Sequence, residues 1–223
     1  MTQRAQRLID EARNAIASTE EQLLLHPYPE ALEKKGLGKG KLTLLTVQQH
    51  YVMKYNVKAV EIARERASSP SADDFMSEVV SKVRDASDAL DVFGKALGLS
   101  TENLYAGEPL SGAIAYSMYV YWLASNRTTA EFAAAFLVNL PSWGNNCARV
   151  GRALQANYGF SKQDVASFNT FAIVSPELKK AGLKVVEEGL ESGVDSVLIR
   201  RAVRLLMRYE LMFWETMWER SRS

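Results

Sequence analysis

Apolar side chains recur every third or fourth residue along nearly the whole chain, which is the spacing of one face of an α-helix. No stretch shows the sustained apolar–polar alternation of a half-buried strand. The helix breakers are few, with 13 Gly and 6 Pro in 223 residues. These features predict an all-α protein in which residues 1–223 form a single-domain helical bundle. One such stripe consists of Phe75, Val79, Val83, Ala86, Leu90, Phe93 and Leu97.

Composition excludes several classes of protein. The 27 Lys and Arg against 26 Asp and Glu give a net charge of +1, so we expect no nucleic-acid partner. A single cysteine, Cys147, allows no internal disulfide, and with only two histidines we expect neither a metal nor another cofactor. The charged start has no apolar signal-peptide core, and no run approaches 18 apolar residues. We therefore expect a cytoplasmic protein with no membrane partner.

A glutamate interrupts the apolar stripe of the last predicted helix. A carboxyl group on the core face must be hydrogen-bonded, paired or beside water, and burial raises its pKa toward values that suit proton transfer at neutral pH. Alternatively, the stripe is slightly rotated and the glutamate pairs with an arginine at its edge. The stripe consists of Ile199, Val203, Leu206, Glu210, Phe213 and Met217.

Polar residues also cluster around a proline inside a predicted helix. Pro141 removes one backbone hydrogen bond and bends the axis. Asn139, Ser142, Asn146 and Arg149 follow one another at spacings of three and four, so they share a face. This strip either lines a pocket at the bend or, as is more common, faces solvent.

Two further segments carry side chains that suit a ligand site. Gln48, Gln49 and His50 are consecutive within an otherwise apolar helix, so at least one of them should point inward. A lone histidine there is more often structural than catalytic. The aromatic residues between Tyr116 and Trp122 are most simply interpreted as part of the hydrophobic core, although flat rings of this kind also suit the binding of a heterocycle.

Several short motifs, in order, resemble those of the TenA / thiaminase II family, which has the haem-oxygenase-like fold. The resemblance extends from about His26 to Trp218. A related quinone-cofactor synthase branch shares the first motif. The matching segments are His26-Pro27-Tyr28, Gln49-His50-Tyr51, Ala115-Tyr116-Ser117, Leu140-Pro141-Ser142, Val150-Gly151-Arg152-Ala153-Leu154 and Glu210-Leu211-Met212-Phe213-Trp214-Glu215.

The resemblance implies a central pocket for an aminopyrimidine and hydrolytic C–N cleavage. It implies that Glu210 shuttles protons and that Ser142 stands where the family has a nucleophilic cysteine. The aspartate position of the family falls on Gln49 or on His50, depending on how the segments are aligned. The remaining implied binding residues are Tyr116, Asn146 in place of a tyrosine, Phe213, and Phe168 or Phe171 as an aromatic wall.

The serine changes the expected chemistry, because an alcohol is a much weaker nucleophile than a thiolate unless a base activates it. His50 would be that base only if the fold brings it within reach. Three functions stay open: a thiaminase II-like hydrolase of a thiamine-related or other nitrogen heterocycle, a cofactor-free oxidase, and a non-catalytic heterocycle binder. The resemblance also implies a homo-oligomer.

Overall fold

Helices make up about four fifths of the backbone in the computed structural model, which describes residues 2–222. Within these residues there is no strand, so the predicted all-α class is confirmed. The helices are α1 (Gln3–Ala15), α2 (Ala17–Leu24), α3 (Pro27–Glu33), α4 (Lys39–Glu65), α5 (Pro70–Ala96), α6 (Thr101–Ala106), α7 (Ser111–Asn126), α8 (Thr129–Tyr158), α9 (Ala166–Asn169), α10 (Pro176–Glu191) and α11 (Ser196–Arg222).

The longest helix, α8, runs through the middle of the bundle. It begins at a capping box in which Thr128 and Glu131 bond each other's backbone N–H groups, and it ends at Gly159 in the left-handed conformation. Its buried residues cover most of the helix circumference, because α3, α10 and α11 all pack against it. The helix continues through Pro141 without interruption.

A second layer is formed by α4, which packs against α5 on one side and α7 on the other. Gln48 of α4 bonds the backbone at both ends of the loop before α7, since its amide donates to Glu108 O and accepts from Leu110 N. This pairing fixes the start of α7 relative to α4. None of the helices within residues 2–222 is long and apolar enough to cross a lipid bilayer.

Candidate functional site

Glu210 of α11 lies in the centre of the bundle and is 0% exposed. Its Oε2 accepts a hydrogen bond from Asn139 Nδ2 at 2.7 Å. Its Oε1 lies 3.2 Å from Ser142 Oγ and 3.3 Å from Trp214 Nε1. The apolar stripe therefore does face the core, and the alternative of an arginine pair at its edge is wrong, because all three partners are uncharged side chains.

The polar strip of α8 supplies two of those partners. Asn139 and Ser142 are three residues apart and so point the same way, toward α11. Asn139 and Asn146 are 0% exposed and Ser142 is 1% exposed. The solvent-facing interpretation of these three residues is wrong, because α8 is covered by other helices on that side as well.

The hydrogen-bonding chemistry of this cluster determines where a proton can reside. Burial raises the pKa of Glu210 to about 8, although the bonds from Trp214 and Ser142 act in the opposite direction. At pH 7 the carboxyl group is therefore mostly protonated. The Asn139 amide nitrogen and the Trp214 indole nitrogen can only donate, whereas the Ser142 hydroxyl can also accept. With the Asn139 amide oriented as in this structure, the acidic proton has one acceptor among these partners, Ser142 Oγ.

Two other titratable groups near Glu210 stay neutral. Tyr116 donates its phenolic hydrogen to Asn139 Oδ1 at 2.8 Å, which links it to Glu210 through the Asn139 amide. Burial, and secondarily the charge of Glu210, raises the pKa of Tyr116 well above its usual value. The same two causes raise the pKa of the buried Cys147 thiol. Cys147 is therefore a neutral thiol and not a substitute for a reactive thiolate.

Aromatic rings pack against one another beside the cluster. Tyr116 stacks on Trp143 with ring centroids 4.9 Å apart and planes 5° apart. Trp143 also contacts Phe213 at 5.3 Å and Trp214 at 5.6 Å, and Tyr28 lies 6.0 Å from Trp214. Sequence analysis missed Trp143 and Trp214 as site residues. Their positions, one residue after Ser142 and one turn after Glu210, were the available signals.

Several buried side-chain polar atoms have no hydrogen-bond partner among residues 2–222, and three of them bear on this site. They are the Tyr28 hydroxyl, Gln49 Nε2 and Asn146 Oδ1. The other end of the Asn146 amide is held, since Nδ2 donates to Leu23 O at 2.9 Å. Unpaired buried polar atoms are rare and costly, so each is a place where a ligand atom would be stabilised.

The Glu210 cluster is closed in this structure. Because Glu210, Asn139 and Asn146 are all 0% exposed, no space large enough for water adjoins them. A ligand that reaches Glu210 therefore has to displace part of the surrounding packing. The described residues contain no group of three or more His, Cys, Asp or Glu side chains arranged to hold a metal ion.

Comparison with known proteins identifies the family. The model of the TENA/THI-4/PQQC family matches residues 13–220. The chain belongs to this family. No curated protein matches the chain.

Solved structures that resemble the chain include proteins described as TenA homologues. A TenA homologue from P. horikoshii OT3 is 20% identical with a TM-score of 0.73, over 95% of this chain and 98% of that one. A domain of unknown function with a heme oxygenase-like fold, from Shewanella denitrificans OS217, is 13% identical with a TM-score of 0.73, over 96% and 93%. A candidate TenA-like thiaminase from Sulfolobus solfataricus P2 is 12% identical with a TM-score of 0.69, over 96% of each chain. At these identities the likeness establishes the predicted haem-oxygenase-like fold.

Some residues assigned by resemblance to the TENA/THI-4/PQQC family lie outside the Glu210 cluster. The His50 ring contacts the rings of Tyr51 and Tyr105, and its nitrogens make no hydrogen bond to Ser142. The titratable side chain in hydrogen-bond contact with Ser142 is Glu210 instead.

The two phenylalanines implied as an aromatic wall have separate surroundings. Phe168 packs edge-on against Phe93 of α5, with ring centroids 5.1 Å apart. The backbone carbonyl of Phe171 lies directly against Gly144 of α8, two residues after Ser142. Phe213 is the phenylalanine that contacts the Trp143 ring beside the cluster.

Trp214→Phe is expected to raise the pKa of Glu210 above 8, because the charged carboxylate loses one of its three donors. At pH 9, where the carboxylate predominates, we expect the free energy of unfolding to fall by about 1 kcal/mol. Urea denaturation as a function of pH measures both effects. Trp218→Phe, one turn later on α11, is the matched control and should leave the pH profile unchanged. Identical profiles for the two variants would contradict the role given to Trp214.

Proposed function

We propose that the chain binds a planar nitrogen heterocycle beside Glu210 and hydrolyses a C–N bond of that ligand. The observation that carries this proposal is a fully buried carboxyl group with a pKa of about 8 in contact with a hydroxyl group. Such a group can both accept and release a proton near neutral pH. Membership of the TENA/THI-4/PQQC family, together with a structural neighbour named as a TenA-like thiaminase, supports the same class of ligand.

The proposed roles follow from the contacts. Glu210 is the proton carrier and Ser142 relays the proton between Glu210 and the reacting atoms. The flat rings of Tyr116 and Phe213 provide apolar surface for the heterocycle. The unpaired amide atoms of Gln49 and Asn146 supply a donor and an acceptor for its ring nitrogens and amino group.

The proposed reaction uses water as the nucleophile. Glu210, as carboxylate, takes a proton from water through Ser142 while the water oxygen bonds to the carbon. The C–N bond breaks, and a departing amine nitrogen takes the proton from Glu210, whereas a cationic ring nitrogen such as that of thiamine leaves as a neutral ring and Glu210 releases the proton to solvent. The net change is addition of one water, which gives an alcohol and either an amine or a neutral heterocycle plus a proton. Because the carboxylate form is needed first, kcat/KM should rise as the pH approaches 8.

A non-catalytic heterocycle binder is the second candidate. It is favoured by the neutral state of Cys147 and by the mostly protonated state of Glu210 at pH 7, which leaves Ser142 without a strong base. In that case the same residues would hold the ligand without turnover.

The test is release of ammonia from 4-amino-5-aminomethyl-2-methylpyrimidine, and cleavage of thiamine, by the purified chain. We expect turnover, and we expect Glu210→Gln to lower kcat about 10²–10⁴-fold, the usual contribution of a proton-transfer group. Glu219→Gln, an exposed position on the same helix, is the control and should retain full activity. Tight binding without release would establish the binder instead. Neither binding nor release would contradict both functions.

A further inference from the structure

A pocket of about 520 Å³ lies between α4 and α5 and shares no lining residue with the Glu210 cluster. Its volume is in the range of small-molecule sites. His50 lies in its wall, and the tyrosines Tyr51, Tyr55 and Tyr105 provide aromatic surface. The pocket therefore combines flat apolar surface with a buried polar group.

His50 is the feature that points to a ligand. The residue is only 1% exposed, and neither ring nitrogen has a hydrogen-bond partner among residues 2–222. Burial, and secondarily the charge of Lys54, lowers the pKa of His50, so the ring is neutral at pH 7 and presents one donor and one acceptor. Leaving both unpaired is unfavourable, and a ligand with a complementary donor and acceptor would relieve it.

Tyr105 covers this imidazole. Its ring meets the His50 ring edge-on at 4.8 Å, while its own side chain is 58% exposed. The backbone of Tyr105 is held in place because its carbonyl accepts a hydrogen bond from Tyr51 Oη at 2.9 Å. The Tyr105 side chain therefore lies between the His50 ring and solvent on a backbone that this bond holds.

The charges that line the pocket favour an anion at one position. Arg84 is bonded to Glu61, and Lys54 faces Asp91 at 3.9 Å. Lys58 has no carboxylate within 4 Å in the described part of the chain, and its ammonium group lies 5.8 Å from the centre of the Tyr55 ring. The carboxylate of Asp88, on the α5 side, is the remaining charged group. Three cations and two anions line the pocket. Among the described residues its groups without an ion pair are Lys58 on α4 and Asp88 on α5, so an anionic ligand group would pair with Lys58.

We propose that this pocket binds an aromatic heterocycle that carries a phosphate or a carboxylate group. The ring packs against Tyr51 and Tyr105 and hydrogen-bonds to His50, and the anionic group pairs with Lys58. This site is separate from the one proposed for hydrolysis and does not depend on it.

The two anionic groups are distinguished by two probes, uridine 5′-monophosphate and orotate, with uridine as the uncharged comparison. Titration calorimetry measures affinity, and ¹⁵N-histidine NMR reports the site directly because the chain has only two histidines. We expect at least one anionic probe to bind at about 1 mM or tighter and to shift the His50 ring signals. The His26 signals, from a ring whose Nδ1 already accepts from Tyr28 N, should not move.

Two variants test the assigned contacts. Lys58→Ala changes an exposed side chain and should weaken the bound anionic probe about tenfold, as loss of a charge-assisted hydrogen bond does. His50→Phe keeps an aromatic ring at this position but removes both ring nitrogens, and it should weaken binding at least as much. Lys95→Ala, at an exposed position outside the pocket, is the control and should change nothing. Failure of both probes to bind, unmoved His50 signals, or equal losses in the Lys58 and Lys95 variants would overturn the proposal.

Discussion

The Glu210→Gln variant is expected to be more stable than the wild-type protein at pH 8, by on the order of 3 kcal/mol, and to lose the dependence of stability on pH that Glu210 creates. Glutamine has nearly the same shape and can be buried without losing a proton. The Asn139 amide can reverse so that its oxygen accepts from the new amide nitrogen, and the Tyr116 hydroxyl can accept as readily as it donates.

The sign of the effect follows from the pKa of Glu210 in the two states. Burial raises the folded-state value from the ordinary 4.5 to about 8. Between these values the unfolded chain has released the proton while the folded chain retains it, so the free energy of unfolding falls as pH rises. The stabilising contribution is fully present below about pH 4.5 and is lost by pH 8. Glutamine does not titrate, so its variant lacks this decline.

Urea denaturation at pH 5, 6.5 and 8 measures the decline. Glu219→Gln makes the same chemical change at an exposed position of α11 and should follow the wild-type profile. A Glu210→Gln variant with the wild-type slope would show that the Glu210 carboxyl group titrates normally. Higher stability combined with lost turnover would indicate that the site retains a destabilising carboxyl group for its chemistry.

Gly144→Ala is expected to be the most damaging small substitution near the site, with a loss of about 1–3 kcal/mol in the free energy of unfolding. A Cβ atom at Gly144 would lie 1.9 Å from the carbonyl oxygen and 2.7 Å from the carbonyl carbon of Phe171. Both are backbone atoms, so the contact cannot be relieved by rotating a side chain. The segment that carries Phe168 and Phe171 would have to move away from α8.

Gly40→Ala is the matched control for this substitution. Gly40 lies in the first turn of α4, and a Cβ atom there would meet nothing within 4 Å. Its replacement should be neutral or stabilising by up to about 1 kcal/mol. Thermal and urea unfolding of both variants gives the comparison, and equal stability of the two would contradict the close approach of Phe171 to α8.

The fold was largely predictable from the sequence, because local signals mark most helix ends. The Thr128–Glu131 capping box and Gly98, at φ +80° just after α5, are examples. The spacing of Glu210 to its apolar neighbours predicted an inward position as one of two alternatives, and the contacts of its carboxyl group confirm that one. These inferences succeed because helical periodicity depends only on residues close in the chain.

The polar strip of α8 could not be assigned in the same way. A helix shows a contrast between apolar and polar faces in its sequence only when one of its faces is exposed to solvent. Helix α8 is covered by α3, α10 and α11, so its sequence lacks this contrast. The bonds from Asn139 and Ser142 to Glu210 join residues 71 and 68 positions apart. Such pairing depends on how α8 and α11 dock, which local sequence does not specify.

His50 illustrates a second limit. Gln49 and His50 are both buried, but neighbouring residues on a helix point about 100° apart. The His50 ring therefore lies against Tyr105 of α6, away from Ser142. Motif matching alone left the two positions equivalent, and only the placement of α5 and α6 around α4 separates them.

A carboxyl-carbon NMR titration of protein labelled at glutamate δ-carbons tests the central feature of the site most directly. The signal absent from Glu210→Gln assigns the Glu210 resonance. We predict that this signal titrates with a midpoint near pH 8. A midpoint between about pH 4 and pH 5, where the carboxyl group of an ordinary exposed glutamate titrates, would show that Glu210 is solvated and would contradict the account.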